Sequence, residues 1–197
     1  MKCILLLLCI IIGIHAQSAY SAAAQQQILQ YHNKLRRNVA KGTFMSMNYK
    51  LSPAANMREL TWSWDLANAA QKQANSCPPH SFDDPPYQGE NYMGFHGWNG
   101  VDISGIHAQQ GWETGFSRYE WPGYFTTCMY SWSRQGARML WAKTRQVGCG
   151  VKVCGTVTVI ICRYDNQEGF KTEPVYQRGA TCSSCPAGTR CNDGLCA

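Results

Sequence analysis

Residues 146–164, with the sequence QVGCGVKVCGTVTVIICRY, decide the fold of this chain. The stretch is rich in valine and isoleucine, which favour extended backbone, and Gly155 separates its two halves as a turn residue. We therefore predict two strands, over residues 146–153 and 156–164, that pair as an antiparallel hairpin. This hairpin is the clearest β signal in the sequence.

Apolar residues at three- and four-residue spacing upstream of the hairpin predict helices. The first is expected over residues 21–41, and the second over 65–76, where Ser63 or Asp65 can cap the start. Residues 59–64 are predicted to be partly extended, and further helices are predicted over 102–112 and 133–141. This arrangement favours the α/β class: a three-layer α-β-α sandwich with an antiparallel central sheet and a short disulfide-rich C-terminal tail.

Residues 1–16 have the pattern of a secretory signal peptide. Lys2 supplies positive charge, residues 4–14 are apolar apart from Gly13, and Ala16 is a small residue at which a peptidase could cut. A membrane-spanning helix needs roughly 20 apolar residues, so a membrane anchor is the weaker interpretation. We expect a secreted, extracellular protein without a transmembrane segment, with one domain over residues 17–177 and a cysteine-rich tail over 178–197.

Cysteine usage agrees with an oxidising compartment. The chain has 11 cysteines, of which Cys3 and Cys9 lie in the predicted signal peptide. The remaining nine predict disulfides, and their odd number leaves at least one thiol over unless a partner chain takes it. A zinc knuckle formed by the last four is the competing interpretation. The nine are Cys77, Cys128, Cys149, Cys154, Cys162, Cys182, Cys185, Cys191 and Cys196.

The formal net charge of +6 is only mildly basic. Lys34, Arg36 and Arg37 cluster at helical spacing, which predicts a solvated helix face. Nothing in the sequence favours nucleic-acid binding, because the basic residues form no longer block. Attraction to an acidic cell surface remains open.

Four motifs, in order along the chain, are similar to those of the CAP superfamily, which includes sperm-coating and venom-allergen-like proteins. They are HNKLR at residues 32–36, GEN at 89–91, MLW at 139–141 followed by QVGCG at 146–150, and VIICRY at 159–164. The sequence most resembles venom-allergen-like proteins of parasitic worms, and its tail resembles the hinge of cysteine-rich secretory proteins. The resemblance implies the three-layer sandwich named above.

The resemblance also implies four disulfides, which are Cys77–Cys154, Cys149–Cys162, Cys182–Cys191 and Cys185–Cys196. The pair Cys149–Cys162 is reasonable on independent grounds, because a hairpin turning at Gly155 places these residues roughly opposite each other. Cys128 is then the free thiol. It is expected either to be a small buried apolar residue or to be reactive or dimer-forming.

Relatives often carry two histidines and two glutamates that face a central cleft and bind a divalent metal. Here His80 and Glu90 occupy the first position of each pair, whereas Gly115 and Gln135 stand at the other two. Two good ligands bind metal weakly, so we expect no metal, no cofactor and no catalysis, and we expect His80 and Glu90 to form a structural hydrogen bond.

Some nearby residues could still alter this expectation. Glu113 is close to the second glutamate position but off register, and Arg138 is expected to bring positive charge near the cleft. His96 and His107 are the remaining histidines that could substitute as ligands.

The resemblance implies that this protein binds lipid, either a sterol or a fatty acid. The sequence adds a segment dense in aromatic residues and broken by Pro122 and Gly123. An apolar surface on such a loop would need a partner. The residues predicted to bind lipid are Phe116, Tyr119, Trp121, Tyr124 and Phe125. The alternative is that these rings pack onto the core.

Three functions therefore stand in order of preference. The first is a secreted, non-enzymatic lipid carrier that uses an apolar cavity, with an acyl-chain groove expected between the first helix and residues 133–141. The second is an extracellular protein-binding or immunomodulatory module that uses the basic first helix or the aromatic loop. The third is a metal-dependent hydrolase, which Gly115 and Gln135 disfavour.

Overall fold

The computed structural model describes residues 18–79, 89–97, 100–118, 131–165 and 174–197. Four helices are present in these ranges: α1 Ala22–Ala40, α2 Trp64–Asn75, α3 Val101–Ser117 and α4 Ser131–Met139. The strands are β1 Met45–Ser46, β2 Tyr49–Lys50, β3 Thr61–Trp62, β4 Glu90–His96, β5 Gln146–Cys154, β6 Val157–Tyr164, β7 Cys191–Asn192 and β8 Leu195–Cys196. The predicted signal peptide lies outside the described residues.

The central sheet has four strands in the order β3-β5-β6-β4. The predicted hairpin β5–β6 is antiparallel and turns at Gly155, whose φ of 62° suits glycine. Strand β4 is antiparallel to β6, but β3 runs parallel to β5. The prediction of an antiparallel sheet was therefore wrong and the sheet is mixed. The chain between β3 and β5 includes three helices, which gives it the length that a parallel crossover requires.

Two faces of the hairpin carry the two helical layers. Val147, Cys149 and Val151 are buried in the larger core together with residues of α1, α3 and α4. Val159 and Ile161 point to the opposite face, where they pack with Ala70 and Ala74 of α2. The α/β class and the three-layer architecture are thus confirmed.

Glycine is required where α2 crosses the hairpin. A Cβ atom built on Gly148 would lie 2.2 Å from the backbone nitrogen of Ala67, and one on Gly150 would lie 2.4 Å from that of Gln71. Backbone atoms cannot move aside as a flexible side chain can. The two glycines therefore let α2 lie directly on the sheet.

Four disulfides brace the described part of the chain. They are Cys77–Cys154, Cys149–Cys162, Cys182–Cys191 and Cys185–Cys196, the same pairs that the family resemblance implies. The first joins the end of α2 to the end of β5, and the second joins directly opposed residues of β5 and β6. The four tail cysteines are all consumed, so the zinc-knuckle interpretation was wrong. Cys128 lies outside the described residues.

The prediction of a solvated basic face on α1 was wrong for Arg36, whose side chain is fully buried. Its guanidinium donates to main-chain oxygens, which replace the water that the charge loses. The acceptors are Arg58 at 2.8 Å, Met139 at 2.9 Å, Trp141 at 3.0 Å, Thr144 at 3.3 Å and Ala142 at 3.4 Å. The neighbouring Arg37 pairs instead with Glu59, at 2.5 Å, near the surface.

The first helix carries two further buried polar side chains of the HNKLR motif. Asn33 donates to the Leu60 oxygen and accepts from the Leu60 nitrogen, both at 2.9 Å, so that it holds the chain before β3. His32 donates from Nδ1 to the Ile28 oxygen at 2.9 Å and accepts at Nε2 from the Tyr164 hydroxyl at 3.0 Å. These side chains of the motif therefore stabilise the fold through buried hydrogen bonds.

Among the described residues, none of the helices combines the length and the apolar character needed to cross a bilayer.

Candidate functional site

Of the two predicted cleft ligands, His80 and Glu90, the structure describes Glu90, which lies at the start of β4. The residue is fully buried. Its Oε1 accepts from the Gln73 amide at 2.7 Å, and its Oε2 accepts from Arg163 Nε at 3.0 Å. Glu90 and Arg163 are directly opposed on β4 and β6, while Gln73 reaches them from α2. Both carboxylate oxygens are therefore already engaged by protein donors.

The electrostatics of Glu90 reflect this enclosure. Burial raises the pKa of the carboxyl group, and the guanidinium groups of Arg163 and Arg138, with the Gln73 amide, act in the opposite direction. These guanidinium groups therefore act as counter-ions to the Glu90 carboxylate.

Gln135 lies on α4 and is connected to the strand through Asn91, the residue after Glu90. Asn91 Nδ2 donates to the Gln135 main-chain oxygen at 2.9 Å and to the Tyr164 hydroxyl at 3.2 Å. Successive side chains of a strand point to opposite faces, so Asn91 faces α4 whereas Glu90 faces Gln73 on α2. The described hydrogen bonds connect Glu90 to Gln73 and Arg163 and do not connect it to Gln135.

The second glutamate position contributes no ligand. Gly115 has no side chain, and its main-chain oxygen accepts from Ser133 Oγ at 3.4 Å, which ties α3 to α4. Glu113 accepts a short hydrogen bond from the hydroxyl of Tyr31 on α1. That carboxylate is used to join α1 to α3.

Neither of the two alternative histidines belongs to the Glu90 cluster. His96 is the last residue of β4 and is exposed, about 20 Å along the strand from Glu90. His107 is hydrogen-bonded through Nδ1 to the Ile103 oxygen of its own helix at 3.1 Å. His80 lies outside the described residues, and the predicted hydrogen bond between His80 and Glu90 stays a prediction.

Among the described residues, the side chains at these positions do not by themselves form a divalent-metal site. A catalytic zinc needs about three protein ligands, yet each oxygen of Glu90 already accepts a hydrogen bond, and positions 115 and 135 carry a glycine and an amide. Gln73, Glu90 and Arg163 form a buried polar cluster, which we call the Glu90 cluster. Arg138 acts on the Glu90 carboxyl group through its charge.

The predicted lipid-binding residues fall largely beyond the described ranges. Phe116 belongs to α3, and Tyr119, Trp121, Tyr124 and Phe125 lie outside the described residues. An open groove of about 750 Å³ is present instead between the N-terminal ends of α1 and α3. Its lining residues are Ala19, Tyr20, Ser21, Gly100, Val101, Asp102 and Ile103.

Comparison with known proteins agrees with the motifs and the fold. The profile of the cysteine-rich secretory protein family, abbreviated CAP, matches residues 29–164, which is more than half of the chain. The chain belongs to this family. CAP proteins are extracellular, venom-allergen-like proteins that are generally non-enzymatic.

Relatives of this CAP chain include secreted proteins of a worm and a scorpion. The Ancylostoma secreted protein of Ancylostoma caninum is 29% identical over 188 residues, covering 87% of this chain and 42% of the relative. The cysteine-rich venom protein of Tityus serrulatus is 32% identical over 197 residues, covering 93% of this chain and 48% of the relative. The chain thus spans less than half of the length of either relative.

Among solved structures, BmVAL-1 is similar with a TM-score of 0.79 and 25% identity, covering 91% of this chain and 96% of that one. The venom-allergen-like resemblance predicted from the motifs is confirmed.

Two members of the Glu90 cluster were missed by the sequence analysis. Gln73 is one of several polar residues on α2, and nothing in the sequence distinguishes it from a solvent-facing glutamine. Arg163 could have been found, because the strand register that follows from the hairpin places it on the same face as Ile161, where a charge needs a buried partner.

Proposed function

We propose that this CAP protein is a secreted, non-enzymatic carrier of an apolar ligand, either a sterol or a fatty acid. The observation that carries the proposal is the open groove of about 750 Å³ at the N-terminal ends of α1 and α3. The residues 17–177 would form the binding domain and 178–197 the hinge-like tail, after removal of residues 1–16.

The groove offers apolar surface on a firmly held frame. Ile103 is 52% exposed there, although isoleucine is usually buried, and Tyr20 is 2% exposed and lies beneath. The two helix ends are tied together at the rim, because Asp102 accepts from the nitrogen and the hydroxyl of Ser21 at 3.0 and 2.6 Å. Because the two helix ends are held in place, less ordering is needed on binding.

Burial of a ligand would supply the affinity. Each Å² of apolar surface removed from water contributes about 25 cal/mol, so an acyl chain gains several kcal/mol without any specific polar contact. The predicted aromatic residues 116–125 follow α3 directly and remain the proposed second part of the lipid surface. This groove lies between α1 and α3, and the acyl-chain groove expected between the first helix and residues 133–141 stays a prediction.

A titration of the purified protein with palmitate and with cholesterol tests the proposal. Ile103→Gln should weaken binding, because it places an amide in the groove. Val153→Gln is the matched control, since Val153 is also an exposed aliphatic residue, at 47%, but lies at the end of β5. Absence of saturable binding of either lipid to the unmodified protein would remove the proposal.

An extracellular protein-binding module is the second candidate. A protein contact through the basic residues of the first helix is disfavoured, because Arg36 is buried and Arg37 pairs with Glu59. The second candidate is favoured by Met45 and Met47, which are 46% and 51% exposed beside the β1–β2 turn, where flexible side chains suit a protein contact. A Met45→Gln/Met47→Gln double variant tests this candidate. If it binds lipid normally but no longer binds a partner protein, the two functions use different surfaces.

A further inference from the structure

A second cavity, of about 500 Å³, lies where the sandwich meets the C-terminal tail. Among the described residues, its lining includes three cationic side chains, those of Arg58, Lys143 and Arg145, and the acidic side chain of Asp165. Ser184 and Pro186 of the tail form part of its wall. This composition differs from that of the lipid groove and requires a separate explanation.

Asp165 is engaged at one side of this cavity. Asp165 Oδ1 accepts from the main-chain nitrogens of Arg145 and Gln146 at 2.9 and 3.1 Å, and Oδ2 accepts from Arg145 Nε at 3.1 Å. The carboxylate is therefore occupied by Arg145 and by the start of β5.

Arg58 is the cation best placed to meet a ligand. Its main chain is held on both sides, since the nitrogen donates to the Ala142 oxygen at 3.3 Å and the oxygen accepts from Arg36 Nε at 2.8 Å. Its side chain is half-buried, and no carboxylate of the described residues forms an ion pair with it. A partly buried guanidinium binds oxyanions well, because its planar donors match two oxygens at once.

The walls of the cavity are rigid for identifiable reasons. Buried Arg36 binds the oxygens of Ala142 and Thr144, so the turn that carries Lys143 and Arg145 is anchored from inside. The tail wall is fixed covalently, because Cys185 lies between Ser184 and Pro186 and is bonded to Cys196. The Ser184 nitrogen also donates to the Ala55 oxygen at 2.9 Å.

We propose that this cavity binds a sulfated saccharide, with Arg58 as the principal contact to a sulfate group. The cations suit the sulfate, while the neutral polar groups of Asn56 and Ser184 suit hydroxyl groups. A bilayer surface is a poorer fit, because none of the large apolar side chains that the described residues expose lines the cavity, and a membrane-binding surface inserts such side chains. The site is independent of the lipid groove.

Calorimetry with a heparin-derived hexasaccharide at low ionic strength tests the site. Arg58→Gln should weaken binding about ten-fold, the usual effect of losing one charged hydrogen-bond partner. Arg118→Gln is the matched control, because it removes the same charge from the exposed end of α3, outside the cavity lining. It should change the affinity less than two-fold, and the desulfated hexasaccharide should not bind.

Three results would overturn the proposal. Equal losses in Arg58→Gln and Arg118→Gln would mean general charge attraction, and absence of hexasaccharide binding would remove the site. Arg58-dependent binding to phosphatidylserine vesicles without hexasaccharide binding would assign the cavity to a membrane instead. Unchanged thermal unfolding and palmitate titration of both variants establish that folding and the lipid groove are intact.

Discussion

Arg36 on α1 donates from Nη1 to the main-chain oxygen of Trp141 at 3.0 Å, across a fully buried contact between the first helix and the chain beyond α4. Burial lowers the pKa of Arg36, and the surrounding carbonyl dipoles solvate its charge. The arginine of the HNKLR motif and the tryptophan of the MLW motif are thus parts of one structural unit. This side chain therefore joins the two segments that carry these motifs.

Replacement of Arg36 by methionine should destabilise the protein by about 3 kcal/mol or more, because several buried carbonyl groups would lose their donor. Arg36→Lys should retain only part of the stability, since an ammonium cannot match the fork of the guanidinium. Chemical denaturation measures both. Arg37→Met is the control and should cost less than about 1 kcal/mol, because its ion pair is near the surface. Equal costs for Arg36 and Arg37 would contradict the assignment.

His32 should make the protein less stable as the pH falls. Burial lowers the pKa of His32 to about 4, from an ordinary value of 6.5. Between these values the unfolded chain binds a proton that the folded chain excludes, so stability is complete above pH 6.5 and is lost toward pH 4. The effect is up to about 3 kcal/mol. Denaturation curves of the wild type and His32→Gln between pH 4 and 7 should differ in slope, and parallel curves would refute the effect.

Glu90 should make the protein less stable as the pH rises. Because burial raises its pKa, the folded state holds a proton more tightly than the unfolded state, and stability falls as the pH rises from about 4.5 through the folded pKa. Glu90→Gln should remove this decline and leave the His32 contribution in place. Denaturation of the single and double variants at several pH values separates the two groups. A Glu90→Gln profile that matches the wild type would show that this carboxyl titrates normally.

Gly148 should tolerate no side chain. Alanine there would bring Cβ within 2.2 Å of the backbone of α2, so that the helix must shift, at a cost of about 1–3 kcal/mol or more. Lys152→Ala on the same strand should be nearly neutral, because Lys152 is exposed. Thermal unfolding of both variants provides the comparison. A Gly148→Ala protein as stable as the wild type would show that α2 does not lie directly on the sheet.

The sequence predicted most of the regular structure because its signals are local. The β5–β6 hairpin follows from β-branched residues around Gly155, and α1 from the spacing of Ile28, Leu35 and Val39. Strand β4 was not predicted, because Gly94 and polar residues interrupt the run of strand-forming residues. Its pairing with β6 is set by tertiary contacts. The parallel pairing of β3 has the same cause, because two residues give no directional signal.

The candidate site was less predictable than the fold. The motif positions drew attention to Glu90, but they gave no indication that Gln73 and Arg163 bind its carboxylate. The burial of Arg36 was also missed, because a charged residue at helical spacing is normally solvated and its acceptors are main-chain oxygens. Such acceptors leave no trace in the side-chain pattern.

We propose that the Glu90 cluster is a structural element and that this CAP protein binds ligands without catalysing a reaction. Zinc titration of the purified protein by calorimetry, alongside Glu90→Gln, tests it most directly. The account predicts no stoichiometric, tight zinc binding to either protein. One zinc ion bound per chain in the wild type and lost in Glu90→Gln would contradict it, because the carboxylate would then have to leave Gln73 and Arg163 to ligate metal.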